Sequence, residues 1–267
     1  MQPMLTIALR AARQAGEYIV RATDRLDRLP VTEKSSSDFV TEVDRKAEEM
    51  IIRALQKTYP DHGFLAEESG QINPDADVQW IIDPLDGTTN YIRGIPHYAV
   101  SIACMHQGKI EHAVVYNPAS REEFTASRGS GAQLNGRRIR VSNRTTLEGS
   151  LIGTGTPFQH HFEGQMHDYM QALGQLAGQS AGVRRMGAAS LDLAYVAAGR
   201  FDAFFEIGLQ PWDIAAGLLL VQEAGGLVSD FNGGLNPLDS GNVVCGNPKC
   251  FKHTLQVVNH FLGGQGE

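Results

Sequence analysis

The chain has 267 residues, of which 42% are hydrophobic and 20% charged, an ordinary composition with enough length to bury a substantial core. Thirty acidic residues against 23 basic ones give a formal charge of −7, which argues against a broad surface for a phosphate backbone while leaving room for local basic patches. Cys104, Cys245 and Cys250 form no CxxC pair, and their odd number cannot close a disulfide framework, so a reducing cytoplasm is expected. No apolar run approaches the roughly 18 to 20 residues of a membrane span, and Arg10, Arg13 and Glu17 interrupt the stretch from Leu5 to Val20 that a signal peptide would need unbroken.

Leu5, Leu9, Ala12, Gly16 and Ile19 recur at helical spacing and predict an amphipathic helix ending before Asp24. A second helix follows from about Thr41, with Val43, Ala47, Met50, Ile51 and Leu55 as its stripe and Pro60 as its stop. Phe64 to Ala66 and Val78 to Ile82 read as strands that run directly into acidic residues. The runs Ala99 to Cys104, Ile110 to Tyr116 and Glu123 to Ala126 predict an antiparallel meander, and Asn135-Gly136 adds a turn. From Leu151 the rhythm changes to strand and helix alternation. Helices are expected near Phe162 to Leu176, from Ala189 to Ala198 and from Trp212 to Ala224, with strands at Phe201 to Phe205, Leu227 to Ser229 and Val243 to Gly246, and a last helix through Phe261. The change of rhythm divides the chain into residues 1–147 and 148–267, joined without a linker as one compact unit.

The most informative segment is Trp80-Ile-Ile-Asp83-Pro-Leu-Asp86-Gly-Thr-Thr-Asn90. A buried-looking strand ends in two aspartates. Pro84 fixes one backbone angle, Gly87 permits a tight bend, and Thr88 to Asn90 supply donors where a turn or helix begins. Hard oxygens from Asp83, Asp86 and the carbonyl of Leu85 suit a dication, and the amides after Gly87 suit a phosphate. Glu67-Glu68 closes another strand, and Asp213 opens an apolar helix. Each has a plain alternative: turn capping for Asp83 and Asp86, a solvated loop for Glu67, a helix cap for Asp213. Together, four acids at element ends would repel one another unless cations intervene, and oxygen donors favour Mg²⁺ over zinc. His160, His161 and His167 lack metal-site spacing. Thr41-Glu-Val-Asp44 reads equally as a capping box.

The pairing of the Asp83–Asn90 motif with Trp212-Asp213-Ile-Ala-Ala-Gly217 and Glu223-Ala-Gly-Gly226 resembles the inositol monophosphatase family, in particular its bacterial SuhB branch, across essentially the whole chain. The resemblance implies a layered αβαβα sandwich of α/β (α+β) class, with an antiparallel sheet in the first half and a mixed sheet in the second. It implies that Glu67, Asp83, the Leu85 carbonyl, Asp86 and Asp213 hold about two or three Mg²⁺ ions. Thr88 and Asp44 would orient the attacking water, with Glu67 beside them, and Lys34 would belong to a nearby loop. Gly187, Ala188, Ala189, Glu206 and Arg184, together with Asp86, Gly87, Thr88 and Asp213, would meet the substrate. Gln210-Pro211 stands where animal members carry His-Cys, a departure that spares the metal ligands and alters the segment bordering the polyol.

The activity so implied is hydrolysis of a small polyol monophosphate, with inositol 1-phosphate as the leading substrate, by a cytoplasmic, lithium-sensitive homodimer. An aspartyl-phosphate phosphatase is disfavoured, because its DxDx[TV] motif is one residue shorter between the acids. The SuhB branch also implies a different role, as a partner of RNA polymerase and Nus factors in ribosomal RNA transcription antitermination. Arg137, Arg138, Arg140, Arg144 and the pair Arg184-Arg185 are candidate contacts for that role; a solvated face is the alternative.

Overall fold

The computed structural model describes residues 2–24, 31–35, 38–156 and 164–264, with the side chains of 31–40 outside that description. The two predicted N-terminal helices are α1 (Pro3–Ala22) and α2 (Glu42–Thr58). Between them β1 (Val31–Ser35) and β2 (Asp38–Thr41) pair antiparallel, an element the apolar pattern did not signal. The first half then builds β3 (Gly63–Ala66), β4 (Gly70–Ile72), β5 (Val78–Asp86), the short helix α3 (Thr88–Ile92), β6 (Ala99–His106), β7 (Lys109–Asn117), β8 (Glu122–Ser127), β9 (Gly131–Leu134) and β10 (Arg137–Arg138). Its eight strands form one sheet in the order β10-β9-β8-β7-β6-β5-β3-β4. The expected meander is β6 to β8. Pairing is antiparallel except between β3 and β5, which run parallel, so Glu67 and Asp83 leave the same end of adjacent strands.

The second half contributes β11 (Leu151–Thr154), α4 (Met166–Gln179), β12 (Gly182–Arg184), α5 (Ala189–Ala197), β13 (Ala203–Glu206), α6 (Pro211–Glu223), β14 (Leu227–Ser229), α7 (Pro237–Ser240), β15 (Val243–Gly246) and α8 (Pro248–Leu262). Its sheet is mixed, as expected: β12, β11 and β13 are parallel, and β15 and β14 continue antiparallel. The predicted strand at Phe201 begins two residues later, because the Phe201 amide donates to the Tyr195 carbonyl and closes the end of α5. The predicted start of α4 at Phe162, with His160 and His161, lies outside the described residues.

Three apolar clusters define the layers. On one face of the large sheet, Trp80, Ile82 and Val114 pack under Leu9, Ile19, Ile51 and Leu55 of α1 and α2. Neighbouring residues Ile81, Ala113 and Val115 point to the opposite face, as strand alternation requires, and meet α5 and α6. Those two helices are buried almost all round (Ile214 to Val221 in α6), the pattern of a layer between two sheets. Leu176 of α4 and Val258 of α8 cover the far face of the second sheet. The order is therefore αβαβα. The helices of the middle layer touch closely: a Cβ on Gly217 of α6 would lie 2.4 Å from Leu193 Cδ1 and 2.5 Å from Leu193 Cβ.

Candidate active site

The end of β5 breaks its ladder with β6. Asp83 pairs with Ser101 and Asp86 with Ala99, so three steps on β5 oppose two on β6. Pro84, which has no N–H to donate, occupies this bulge. The Leu85 amide turns back to Asp83 Oδ1 at 2.9 Å. Gly87 follows at φ 90°, and a Cβ there would meet the His97 carbonyl at 3.0 Å and the Gly187 carbonyl at 3.2 Å. Both the left-handed backbone and the close approach require glycine.

Asp44 serves two neighbours at once. Its Oδ2 accepts from the Thr41 amide at 2.9 Å and the Thr41 hydroxyl at 2.5 Å, completing the capping box of α2. Its Oδ1 accepts from the Thr88 hydroxyl at 2.9 Å, which also lies 3.0 Å from the Leu85 carbonyl. The capping and pairing readings of Asp44 are thus both geometrically satisfied. Lys34 lies in β1; its side chain is outside the described residues.

The second half reaches the same place from α5 and α6. Asp86 Oδ2 accepts from the Ser190 amide at 2.7 Å and the Ser190 hydroxyl at 2.5 Å, across 104 residues of sequence. Asp213 Oδ2 accepts from the Gln210 amide at 2.7 Å in a capping box at the start of α6. Asn90 Nδ2 donates to the His97 and Met186 carbonyls at 2.8 and 2.9 Å, holding the segment before Gly187 and Ala188 against α3. Glu206 ends β13, and its carboxylate lies over Gly155, where a Cβ would fall 1.6 Å from Oε1. Arg184 is exposed and bonds back to the Val183 carbonyl. Arg185 is the member of the pair whose charge acts on Glu206.

Glu67 is held indirectly. Its amide donates to the Ile82 carbonyl. The next turn is pinned by Glu48, a buried acid of α2 that accepts from the Glu68 and Ser69 amides at 2.8 Å each and from the Ser69 hydroxyl at 2.5 Å. Sequence reasoning missed Glu48 and Ser190. The signal for Glu48 was present: it follows Ala47 on the buried stripe of α2, where a charge needs a partner.

The electrostatics are those of crowded acids. Burial, then the charges of Glu67, Asp86 and Asp213, push Asp83 well above the usual carboxylate range, against the Leu85 N–H. Burial and Asp86 do the same to Asp213, with Gln210 opposing. Asp86 is raised by burial and restrained by its bonds to Ser190. Burial lifts Glu206 to about 8, with Arg185 opposing and Asp86 adding. Among the described residues, no three His, Cys, Asp or Glu side chains stand closed around one point as a ready cage for an ion; the three aspartates each give one oxygen to an N–H of the protein. The donor chemistry nonetheless fits a hard dication: carboxylates and a carbonyl, whose mutual repulsion a positive charge would relieve.

The model of the inositol monophosphatase family matches residues 1–260, and the chain belongs to that family. Among named relatives it is similar to the Nus factor SuhB of Pseudomonas aeruginosa, 60% identical over 98% of both chains, and to that of Escherichia coli, 54% identical over 96% of this chain and 95% of the other. The crystal structure of the extragenic suppressor protein SuhB from Bartonella henselae superimposes with a TM-score of 0.93 at 43% identity, covering 100% of both chains. The IMPase of Thermotoga maritima does so at 0.89 and 35%, covering 98% of each.

Proposed function

We propose that this chain hydrolyses phosphate monoesters of small polyols, inositol 1-phosphate foremost, by direct attack of water and with Mg²⁺ as cofactor. The observation that carries the reading is the meeting of Glu67, Asp83, Asp86 and Asp213 beside the Thr88–Asp44 pair, reported by the mutual charge effects among the acids and by the bond from Thr88 to Asp44. Glu67, Asp83, the Leu85 carbonyl, Asp86 and Asp213 would hold about two or three ions. When bound, Mg²⁺ supplies positive charge where water is activated and where charge builds on the phosphoryl and leaving oxygens.

The chain's own groups position the reactants. Whether the Thr88 proton goes to Asp44 or to the Leu85 carbonyl, the lone pairs of the hydroxyl remain to accept from a water, which sets the direction of that water's oxygen. Gly87 gives the phosphate close access to the backbone. Gly187 to Ala189 and Glu206 border the polyol, and Arg185 is better placed than Arg184 to support Glu206. Replacing Asp213 by Asn retains an acceptor for the Gln210 amide while removing the charge, so the fold is kept and Mg²⁺-dependent phosphate release falls steeply. Wild-type turnover by that variant overturns the assignment. A panel of inositol 1-phosphate, glycerol 2-phosphate, fructose 1,6-bisphosphate and adenosine 3′,5′-bisphosphate tests the substrate, for which Gln210-Pro211 is the distinguishing segment.

A second role, compatible with the first, is favoured by the relatives named Nus factor SuhB at 60% and 54% identity over nearly their whole length: binding RNA polymerase and Nus factors in transcription antitermination, by a homodimer. Arg137, Arg138, Arg140, Arg144 and Arg184 are exposed, and Arg144 pairs with Asp202 at 3.5 Å. Recovery of transcription factors by wild-type protein, and their loss with an Arg184→Ala/Arg185→Ala variant, is the expected result. No recovery in either sample rejects the role.

A further inference from the structure

Helices α1 and α2 lie antiparallel on the outer face of the large sheet, Tyr18 near the end of α1 being within electrostatic reach of Glu42 and Lys46 at the start of α2. Their inner stripes are consumed by the core. Their outer sides leave a groove of about 710 Å³. Its floor is apolar: Ile7 and the buried Ala11 from α1, Met50 and Ala54 from α2. Its rim is basic, with exposed Arg10, Arg53 and Lys57 and no acidic side chain in the lining.

Like Arg93, Lys109 and Arg121 elsewhere on the surface, these cations make no ion pair among the described residues, and here three share one groove. Arg13, Arg21, Arg45, Lys46, Arg128, Arg144 and Arg200 each sit within ion-pair distance of an acid. Among the described residues Arg10, Arg53 and Lys57 do not. Arg53 acts on the exposed Glu49 one turn back, but Glu49 bonds Lys46 instead. In a chain of charge −7, three cations gathered without acids over an apolar floor form a surface complementary to a partner that is both apolar and acidic.

We propose that this groove docks an acidic amphipathic helix of a partner protein, with the partner's apolar stripe on Ile7, Ala11, Met50 and Ala54 and its carboxylates against Arg10, Arg53 and Lys57. On each helix the lining follows the i, i+3, i+4 spacing of a single face, and a third helix fills a furrow between two others by ridge-into-groove packing. From Ile7 to Gln14 the floor runs about 10 Å, two turns of such a partner. A nucleic-acid backbone would use the cations and leave the apolar floor uncovered. The groove contains none of the residues placed in the candidate active site and none of the Arg184–Arg185 surface, so it stands independently of both proposed roles.

The test uses the full chain and two labelled synthetic helical peptides that share one Leu and Ala stripe, flanked by Glu in one and Lys in the other, with a single-stranded RNA as the third probe. By fluorescence anisotropy, the Glu peptide binds wild type at least about tenfold tighter than an Arg10→Glu/Arg53→Glu/Lys57→Glu variant, and the Lys peptide reverses that order. A nitroxide on the Glu peptide broadens the Met50 methyl signal. Met50→Glu, which puts an acid on the floor, weakens the Glu peptide by a similar factor. Melting curves and Mg²⁺-dependent phosphate release of each variant confirm an intact fold and keep this outcome separate from that of the phosphatase reading. Equal binding of the Glu peptide to wild type and the reversed-charge variant, binding of RNA alone, an unmoved Met50 signal, or no binding at about millimolar peptide each overturns the proposal.

Discussion

Glu48 offers the sharpest test of how the site is held, because it is buried and both its oxygens are taken by the turn that begins at Glu67. Glu48→Gln preserves shape and removes the charge. In the native protein one carboxylate oxygen takes the Glu68 amide and the other takes the Ser69 amide and hydroxyl. A glutamine has one acceptor oxygen, so in either orientation its NH₂ faces a backbone N–H that loses its partner. An unsatisfied buried donor costs about 1 to 3 kcal/mol, and the remaining bonds lose their charge assistance. A destabilisation of about 2 kcal/mol follows, and with a urea slope of about 3 kcal/mol/M the unfolding midpoint falls by about 0.7 M. The turn that loosens carries Glu67, so the Mg²⁺ concentration for half-maximal phosphate release rises in the same variant. An unchanged midpoint together with an unchanged Mg²⁺ dependence refutes the claim that Glu48 positions Glu67.

Thr88→Val keeps the shape of the side chain but leaves Asp44 Oδ1 without its donor; stability falls by about 1 kcal/mol, turnover falls by about 100-fold or more, and Thr88→Ser restores most of it in a phosphate-release assay. Gly217→Ala gains about 1 kcal/mol of helix propensity and forces a Cβ against Leu193 Cβ at 2.5 Å, an overpacking cost of about 1 to 3 kcal/mol; calorimetry therefore shows a lower Tm, partly rescued in the Leu193→Ala background. The buried acids set a pH dependence of stability for the ion-free protein. Asp83 and Asp213 are raised in the folded state, so the folded chain binds more protons than the unfolded one, and stability falls as pH rises from about 4. Glu206, at about 8, carries the decline to the top of that window. Urea midpoints without metal drop between about pH 5 and about pH 8, and Mg²⁺ raises them more at the higher pH; pH-independent midpoints contradict this.

The layers were legible because their signals are strong. Stripes such as Leu5 to Ile19 and the unbroken Ile214 to Val221 run have one reading each, an outer helix and an interior one. The β1–β2 pair was not legible, since its residues carry no apolar alternation that separates a strand from a loop. Glu67, Asp83, Asp86 and Asp213 stood out only as a set. Alone, each is what a cap or turn would contain, and Asp44 and Asp213 do cap their helices. Glu48 was signalled as a buried charge in need of a partner, although the partner itself, about 20 positions on, was not. Ser190 was invisible for a different reason: its importance lies in a partner 104 positions away, and pairing at that range depends on how the layers stack rather than on local pattern.

The bond from Ser190 to Asp86 sets an order of events during synthesis. The strand bearing both aspartates is complete more than a hundred residues before its donor exists, and at ribosomal speed that separation corresponds to about 5 to 20 s. Asp213 emerges later still. Through that interval the first sheet can form and close over α1 and α2 while its acidic end waits in water. The acidic centre of this protein is therefore finished long after the sheet that carries its first half, and a chain cut short before α6 has that sheet but lacks Asp213.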